Sequence, residues 1–226
     1  MKIGIIAAME PEISQIIASL ENKKKYTIAN VDIYEGTINN HNVVLSLSGI
    51  GKVNSAINTT ILINNFKPDL VINSGIAGGS KELRTFDLIL ADKLTYSDFD
   101  CQIFGYEFGQ VPQMPKYFYS DKNYRLLLEK YLISQNIEFE TATILTADSF
   151  RMSAKEIQNV ISSSFATEME GTSIAQTCYK LNIPFVSMRI ISDVLDSENH
   201  IEEYNKFEEK CAKHSSDIIV NFIKTL

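Results

Sequence analysis

Short runs dominated by Ile and Val recur along the chain and alternate with longer amphipathic stretches. A run of four to eight apolar residues fits a buried strand, whereas apolar residues spaced three and four apart over a longer stretch fit a helix covering it. The alternation predicts an α/β sandwich built on a central sheet. Residues 2–8 read as a first strand, and Pro11 stands where a first-turn proline opens a helix to about residue 20. Segments 26–38 and 42–48 flank Asn39-Asn40 as a hairpin. A helix over 52–65, strands at 69–73 and 87–94, and a helix over 122–134 follow. Next come a strand at 141–146, a helix announced by the capping-box spacing of Ser153 and Glu156, a strand at 165–168 and a helix over 172–181. A strand at 184–191 and a helix over 201–226 complete the series. Segment 98–118 is aromatic, carries two glycines and two prolines, and has neither period, so it reads as a long functional loop.

At 226 residues with 45% hydrophobic content and no Pro/Gly/Ser-rich linker, the chain is expected to form one domain, 1–226. The net charge of -7 comes from scattered acids, which argues against nucleic acid or an anionic membrane as a partner and favours a small neutral or cationic ligand. The apolar run 3–9 is too short to span a bilayer and is closed by Glu10, Pro11 and Glu12. It resembles neither a membrane helix nor a cleavable signal, so a cytoplasmic location is expected. Cys101, Cys178 and Cys211 are odd in number and widely spaced, which points to reduced thiols rather than disulfides or zinc.

In sheets flanked by helices, ligands bind at the carboxyl ends of strands. Four such exits carry polar or glycine-rich residues that a core does not need: Met9 to Glu12, Asn73 to Gly79, Glu168-Met169-Glu170, and Arg189 with Ser192-Asp193. Glu12 and Glu170 also read simply as acids that favour a helix N-terminus. Asp193 follows a run apolar enough to be buried, where a charge needs a partner or a task. The Gly75 to Gly79 stretch admits a phosphate cradle or an ordinary turn, since it lacks the GxGxxG order. The Ser48 to Lys52 stretch fails as a Walker A loop, because Ser46 stands where glycine is required and Val53 where Ser or Thr is. Of four arginines, Arg84, Arg125, Arg151 and Arg189, only Arg189 and Arg151 lie near a strand exit, so a phosphate clamp is poorly supplied and hydrolysis is favoured over phosphorolysis. His41, His200 and His214 pair with no nucleophile and read as surface or packing residues; neither a metal nor a cofactor is implied.

Taken in order, MKIGIIAAMEPE (1–12), SGIGKV (48–53), NSGIAGG (73–79), FGYEFGQ (104–110), EME (168–170) and RIISD (189–193) resemble the 5′-methylthioadenosine/S-adenosylhomocysteine nucleosidases, from Met1 to at least Ser216. These are hydrolytic members of the nucleoside phosphorylase superfamily. The resemblance implies a three-layer sandwich with a central mixed, twisted β-sheet flanked by helices, and cleavage of the N-glycosidic bond of both nucleosides to release adenine. It implies that Asp193 protonates N7, Glu12 activates water, Arg189 orients that water and Glu170 accepts the ribose hydroxyls as an ionised carboxylate. Glu168 would belong to the substrate-binding set, Met169 would pack on the sugar, Phe150 would stack on the purine, the main chain of Arg151 would meet its edge, and Ser192 would position Asp193. Met9, Ile50 and Tyr204 would line the 5′ pocket, with Tyr204 displaced by a one-residue insertion. Phe104, Tyr106 and Pro112 would reach a neighbour's pocket across a homodimer. Ile76 stands where the family has a small hydroxyl residue beside the ribose or water. Arg151, Thr167, Gly171 and Ser97 also depart from the pattern. A purine nucleoside phosphorylase and a weakened nucleoside-binding homologue are the alternative readings.

Overall fold

The computed structural model describes residues 1–157, 163–198 and 200–226. Its elements run β1 (Lys2–Ala7), α1 (Glu10–Ser19), β2 (Glu21–Ile28), β3 (Val31–Ile38), β4 (His41–Leu47), α2 (Lys52–Phe66), β5 (Leu70–Gly79) and β6 (Leu88–Tyr96). After a 3-10 turn at Gln102–Phe104 come β7 (Phe118–Tyr119), α3 (Lys122–Ser134), β8 (Glu140–Thr146), a 3-10 turn at Ala154–Glu156, β9 (Phe165–Glu168), α4 (Gly171–Leu181), β10 (Phe185–Val194) and α5 (His200–Thr225).

The described strands join in one mixed sheet in the order β10-β6-β8-β9-β5-β1-β4-β3-β2, with β7 on β6. A further parallel pairing of β10 with β5 brings the end of that path back to its middle. The expected mixed sheet with helices is present, but the sheet closes into a barrel-like ring over β5, β9, β8, β6 and β10, which a stack of open layers does not describe. Closure puts the carboxyl ends of β5 and β10 side by side, where a ligand site can be assembled from both.

Alternation along β1 shows how the sequence dictates the packing. Ile3, Ile5 and Ala7 join the core beneath α1 and α5, whereas Ile6 joins the core beneath α2 and α4. Gly4 faces α2, and a Cβ there would meet Leu62 at 2.8 Å, so glycine sets how closely that helix approaches.

Several boundaries differ from the sequence reading. β2 starts at Glu21 because its first five residues, ENKKK, are exposed; lysines suit an edge strand but hide it from a hydrophobic count. Two hairpin turns are present rather than one: Ala29 and Asn30, like Asn39 and Asn40, have positive φ, the requirement of a type I′ turn. β5 runs on through Gly79, so the glycine-rich stretch is strand and neither a turn nor a phosphate cradle. Segment 98–118 is irregular apart from the 3-10 turn and its last residue in β7. Ser153 accepts a hydrogen bond from the Lys155 amide, but residues 158–162, the body of the helix expected there, lie outside the described residues.

Candidate active site

The glycines of β5 decide the shape of the site. A Cβ at Gly75 would collide with the Glu12 carboxylate, and one at Gly78 would lie 2.9 Å from Asp193 Oδ2. The strand therefore gives up side-chain volume at two positions, and each gap is filled by a carboxylate arriving from another element.

Glu12 is the third residue of α1, and its side chain turns back over the helix start. Oε2 accepts from the amides of Ala8 at 2.9 Å and Met9 at 3.0 Å, and Oε1 accepts from the Ile76 amide at 3.0 Å. The bland reading of Glu12 as an acid at a helix N-terminus is thus true as far as it goes. Three backbone donors occupy three of roughly four lone-pair sites and leave one on Oε1 for a further donor such as water. Burial pushes the Glu12 carboxyl above its usual range, opposed by the positive Arg189 and the three amides. A carboxylate so placed gains basicity, which suits a group that takes a proton from water.

Asp193 owes its orientation to a β-bulge. Ile191 pairs with Ala77 and Asp193 with Gly78, which leaves Ser192 as the extra residue and re-aims the side chains that follow. The Ser192 hydroxyl donates to Asp193 Oδ1 at 2.5 Å. Oδ2 meets Nε2 of His200 at 2.5 Å, a contact in which both side chains are almost wholly buried. The reading of His200 as a surface or packing residue is therefore corrected: it touches the proposed acid directly. Its position seven residues beyond Asp193, at the start of a new helix, gave no sequence period by which the contact could be found.

Between these carboxylates lies a buried polar frame. Glu168 Oε2 accepts from Arg189 at 2.7 Å and from the amides of Glu170 and Gly171 at 3.0 and 2.6 Å, while Oε1 accepts from Thr146 at 2.5 Å. Arg189 also donates to Asn73 Oδ1 at 2.5 Å. The Glu168 carboxylate thus holds Arg189 and the start of α4 while also lining the cavity. Glu170 Oε1 accepts from the Gly51 amide at 2.8 Å. Burial, reinforced by the Glu168 charge, pushes Glu170 up to about 8.

One cavity gathers Met9, Glu12, Ile50, Ile76, Phe150, Glu168, Met169, Glu170, Ser192, Asp193 and Tyr204, together with Ala8, Ala77, Gly78 and Thr167, which the sequence reading had not assigned to it. Arg151 lines an adjoining crevice with Phe150 and Asp193, and its guanidinium donates to the Ser97 carbonyl at 3.1 Å. Arg189 is not among the lining residues; it lies behind Glu168 and acts on Glu12 through its charge. Phe104, Tyr106 and Pro112 do not line the cavity of their own chain, and Phe104 is 76% exposed.

The profile of the phosphorylase superfamily matches residues 2–224. A 5′-methylthioadenosine/S-adenosylhomocysteine nucleosidase of Staphylococcus saprophyticus is 42% identical over 99% of this chain and 100% of its own length, and that of Staphylococcus aureus is 40% identical over the same shares. The chain belongs to this nucleosidase family. Among solved structures, the S-adenosylhomocysteine nucleosidase of Streptococcus pyogenes in complex with 5-methylthiotubericidin superposes with a TM-score of 0.94 at 33% identity, covering 100% of this chain and 97% of the other. The Neisseria meningitidis nucleosidase in complex with methylthio-immucillin-A gives 0.93 at 34% identity, with 100% and 99% covered. Ile76 lines the cavity and its backbone amide donates to Glu12 Oε1 at 3.0 Å. Thr167 stands opposite Gly78 in the β5–β9 ladder and lines the cavity beside Asp193.

Proposed function

We propose that this chain hydrolyses the N-glycosidic bond of 5′-methylthioadenosine and S-adenosylhomocysteine, releasing adenine and the 5′-thio-substituted ribose. The observation that carries the reading is a single cavity faced by two carboxylates held in different ways, Glu12 on backbone amides and Asp193 on side chains. A carboxyl at each end of one pocket is the arrangement that an acid and a base need to act on one substrate.

In this reading the purine lies against Phe150, and Asp193 gives a proton to N7. The C1′–N9 bond then breaks with its electron pair passing into the base, which leaves as neutral adenine. Positive charge develops at C1′ and the ring oxygen, and the Glu12 carboxylate beside the sugar stabilises it. Water adds to C1′ while Glu12 takes its proton. Glu170 bonds the ribose hydroxyls, Met169 packs on the sugar, and Met9, Ile50 and Tyr204 take the 5′-thio group. Ser192 holds Asp193 in place, and the Arg151 main chain meets the base edge. Arg189 acts through Glu168 and through its field on Glu12. Hydrolysis is supported over phosphorolysis because the two arginines near strand exits are engaged, Arg189 by Glu168 and Asn73 and Arg151 by Ser97.

The working unit in this proposal is a cytoplasmic homodimer. The exposed side chains of Ile50, Val53 and Ile57 at the start of α2, and of Ile103 and Phe104 in the aromatic loop, supply apolar surface suited to a second copy. Phe104, Tyr106 and Pro112 would then complete the neighbour's 5′ pocket. No helix among the described residues is long and apolar enough to cross a membrane. Sedimentation as a monomer at assay concentration would remove the dimer and the cross-chain role of the loop. Purified protein should release adenine from both nucleosides, and Asp193→Asn should stop the release while circular dichroism shows the fold retained; an Asp193→Asn protein of full activity overturns the mechanism.

A further inference from the structure

We propose that His200 is the proton partner of Asp193, so that the pair, rather than the aspartate alone, carries the proton that reaches the base. This rests on the assignment of Asp193 as the acid. Asp193 fronts the cavity, whereas His200 is not among the lining residues and stands behind it, its Nε2 2.5 Å from Oδ2 and its ring against Phe150 with centroids 5.4 Å apart. Phe150 in turn meets the Tyr204 ring edge-on at 5.3 Å. The histidine is therefore clamped between the acid and an aromatic that itself faces the cavity, a place where a neutral packing residue would serve as well unless its titration were used.

The chemical need is plain. A carboxylic acid in water keeps its proton only to about pH 3.9, an imidazole to about pH 6.5. An aspartate acting as general acid near neutrality keeps its proton through burial or through a second group that shares it, and here the group in contact is an imidazole. The groups facing His200 are Asp193 from β10, Asp196 from the turn that follows and the Phe150 ring, on which Tyr204 packs in turn, with Arg151 in the crevice beside Asp193. Cys211 of α5 feels the Asp193 charge from the other side. Burial pushes the Tyr204 hydroxyl up to about 12 and the Cys211 thiol up to about 11, so neither competes for the proton. Asp196 is held below the usual range, first by its bond from Ser153, and is an anion beside the ring. His200 Nδ1 has no hydrogen-bond partner among the described residues, so nothing on the far side of the ring fixes its tautomer.

The proton balance closes. The Nε2–H bond of the imidazolium breaks as the Asp193 O–H bond forms, and that proton passes to N7 as the C1′–N9 pair moves into the base. Each carboxylate oxygen has two lone pairs, so the contacts to Ser192 and His200 leave positions that face the cavity. Water loses its proton to Glu12. After adenine departs, Glu12 releases a proton to solvent and the imidazole takes one up. Activity is therefore lost as pH rises and the pair gives up its shared proton.

The test is the pH profile of kcat/KM for adenine release by the unaltered protein, His200→Gln and Asp193→Asn. Glutamine keeps a neutral donor at similar reach but cannot titrate. The expected result is an alkaline limb moved to lower pH in His200→Gln, with a loss of about tenfold for each unit of displacement above the new limb. Asp193→Asn should be inactive at every pH. A His200→Gln profile that is parallel to the unaltered one, whether lowered evenly or not, overturns the role of His200 and leaves that of Asp193 standing; full activity of Asp193→Asn overturns the acid assignment itself. Should His200→Gln fail to fold, 15N resonances of the imidazole in the unaltered protein decide: loss of the ring proton along the alkaline limb supports the pairing, and a ring already neutral where activity is full overturns it.

Discussion

The two carboxylates of the site lie against the same strand and are held by opposite means. Glu12 hangs from three backbone amides, those of Ala8, Met9 and Ile76, which cannot move without unwinding β5 or the start of α1. Asp193 is held by two side chains, Ser192 and His200, one of them the first residue of a helix that packs over the cavity. A backbone cradle fixes a base for water, whose position changes little from one substrate to the next. A side-chain cradle leaves the acid able to exchange partners, which a group that must meet an incoming base and later recover a proton requires. The glycines that make room for both, Gly75 and Gly78, show that the difference is built into one strand.

The comparison can be broken in order of size. Asp193→Asn should cost the most, a fall in kcat of about 10² to 10⁴, read as adenine release. Glu12→Gln should fall in the same range and also lower the melting temperature, because the amide end cannot accept from the Ala8 and Met9 or Ile76 donors that the carboxylate satisfies. Loss of activity without loss of stability at Glu12 would mean that its backbone cradle is dispensable. Gly75→Ala and Gly78→Ala should each cost about 1 to 3 kcal/mol by overpacking, measured by denaturant unfolding, with activity falling further as the carboxylate is displaced. Ser192→Ala removes one hydrogen bond to Asp193, worth about 1.5 to 3 kcal/mol for a charged partner, and should lower kcat while leaving KM nearly unchanged.

The last effect is read from pH rather than from activity and concerns Glu170. Its carboxyl titrates near 4.5 when unfolded and at about 8 in the fold. Below the lower value both states hold the proton and folding is unopposed. Between the two values the folded state keeps a proton that the unfolded state has lost, so stability falls as pH rises toward 8. Melting temperatures of the ligand-free protein should decline over that window and flatten in Glu170→Gln; an unchanged slope would place the titration elsewhere.

Much of this was legible in the sequence because strand exits carry polar residues for a reason. Asp193 stands out as a charge at the end of an apolar run, Glu12 and Glu170 as acids at polar strand exits that also suit a helix start, and the runs of Ile and Val locate β1, β5 and β10. What hid was long-range or structural in origin. Ring closure between β5 and β10 depends on pairing across more than a hundred residues, which no local period reports. The edge strand β2 hid behind its lysines. The bulge at Ser192 and the contact from His200 arise from register and from the start of α5, so the sequence offered a buried acid without its partner. Glu168 looked like a ligand-binding acid of the same kind as Glu170. Only the positions of Arg189, Thr146 and the α4 amides make it part of the frame.

The central claim is that water, activated by Glu12, takes the place of adenine. The direct measurement is adenine release from 5′-methylthioadenosine with and without inorganic phosphate, with the sugar product followed by 31P NMR. The account predicts a rate indifferent to phosphate and a sugar that carries no phosphorus. Adenine released only when phosphate is present, with a sugar 1-phosphate signal growing alongside it, would contradict the account.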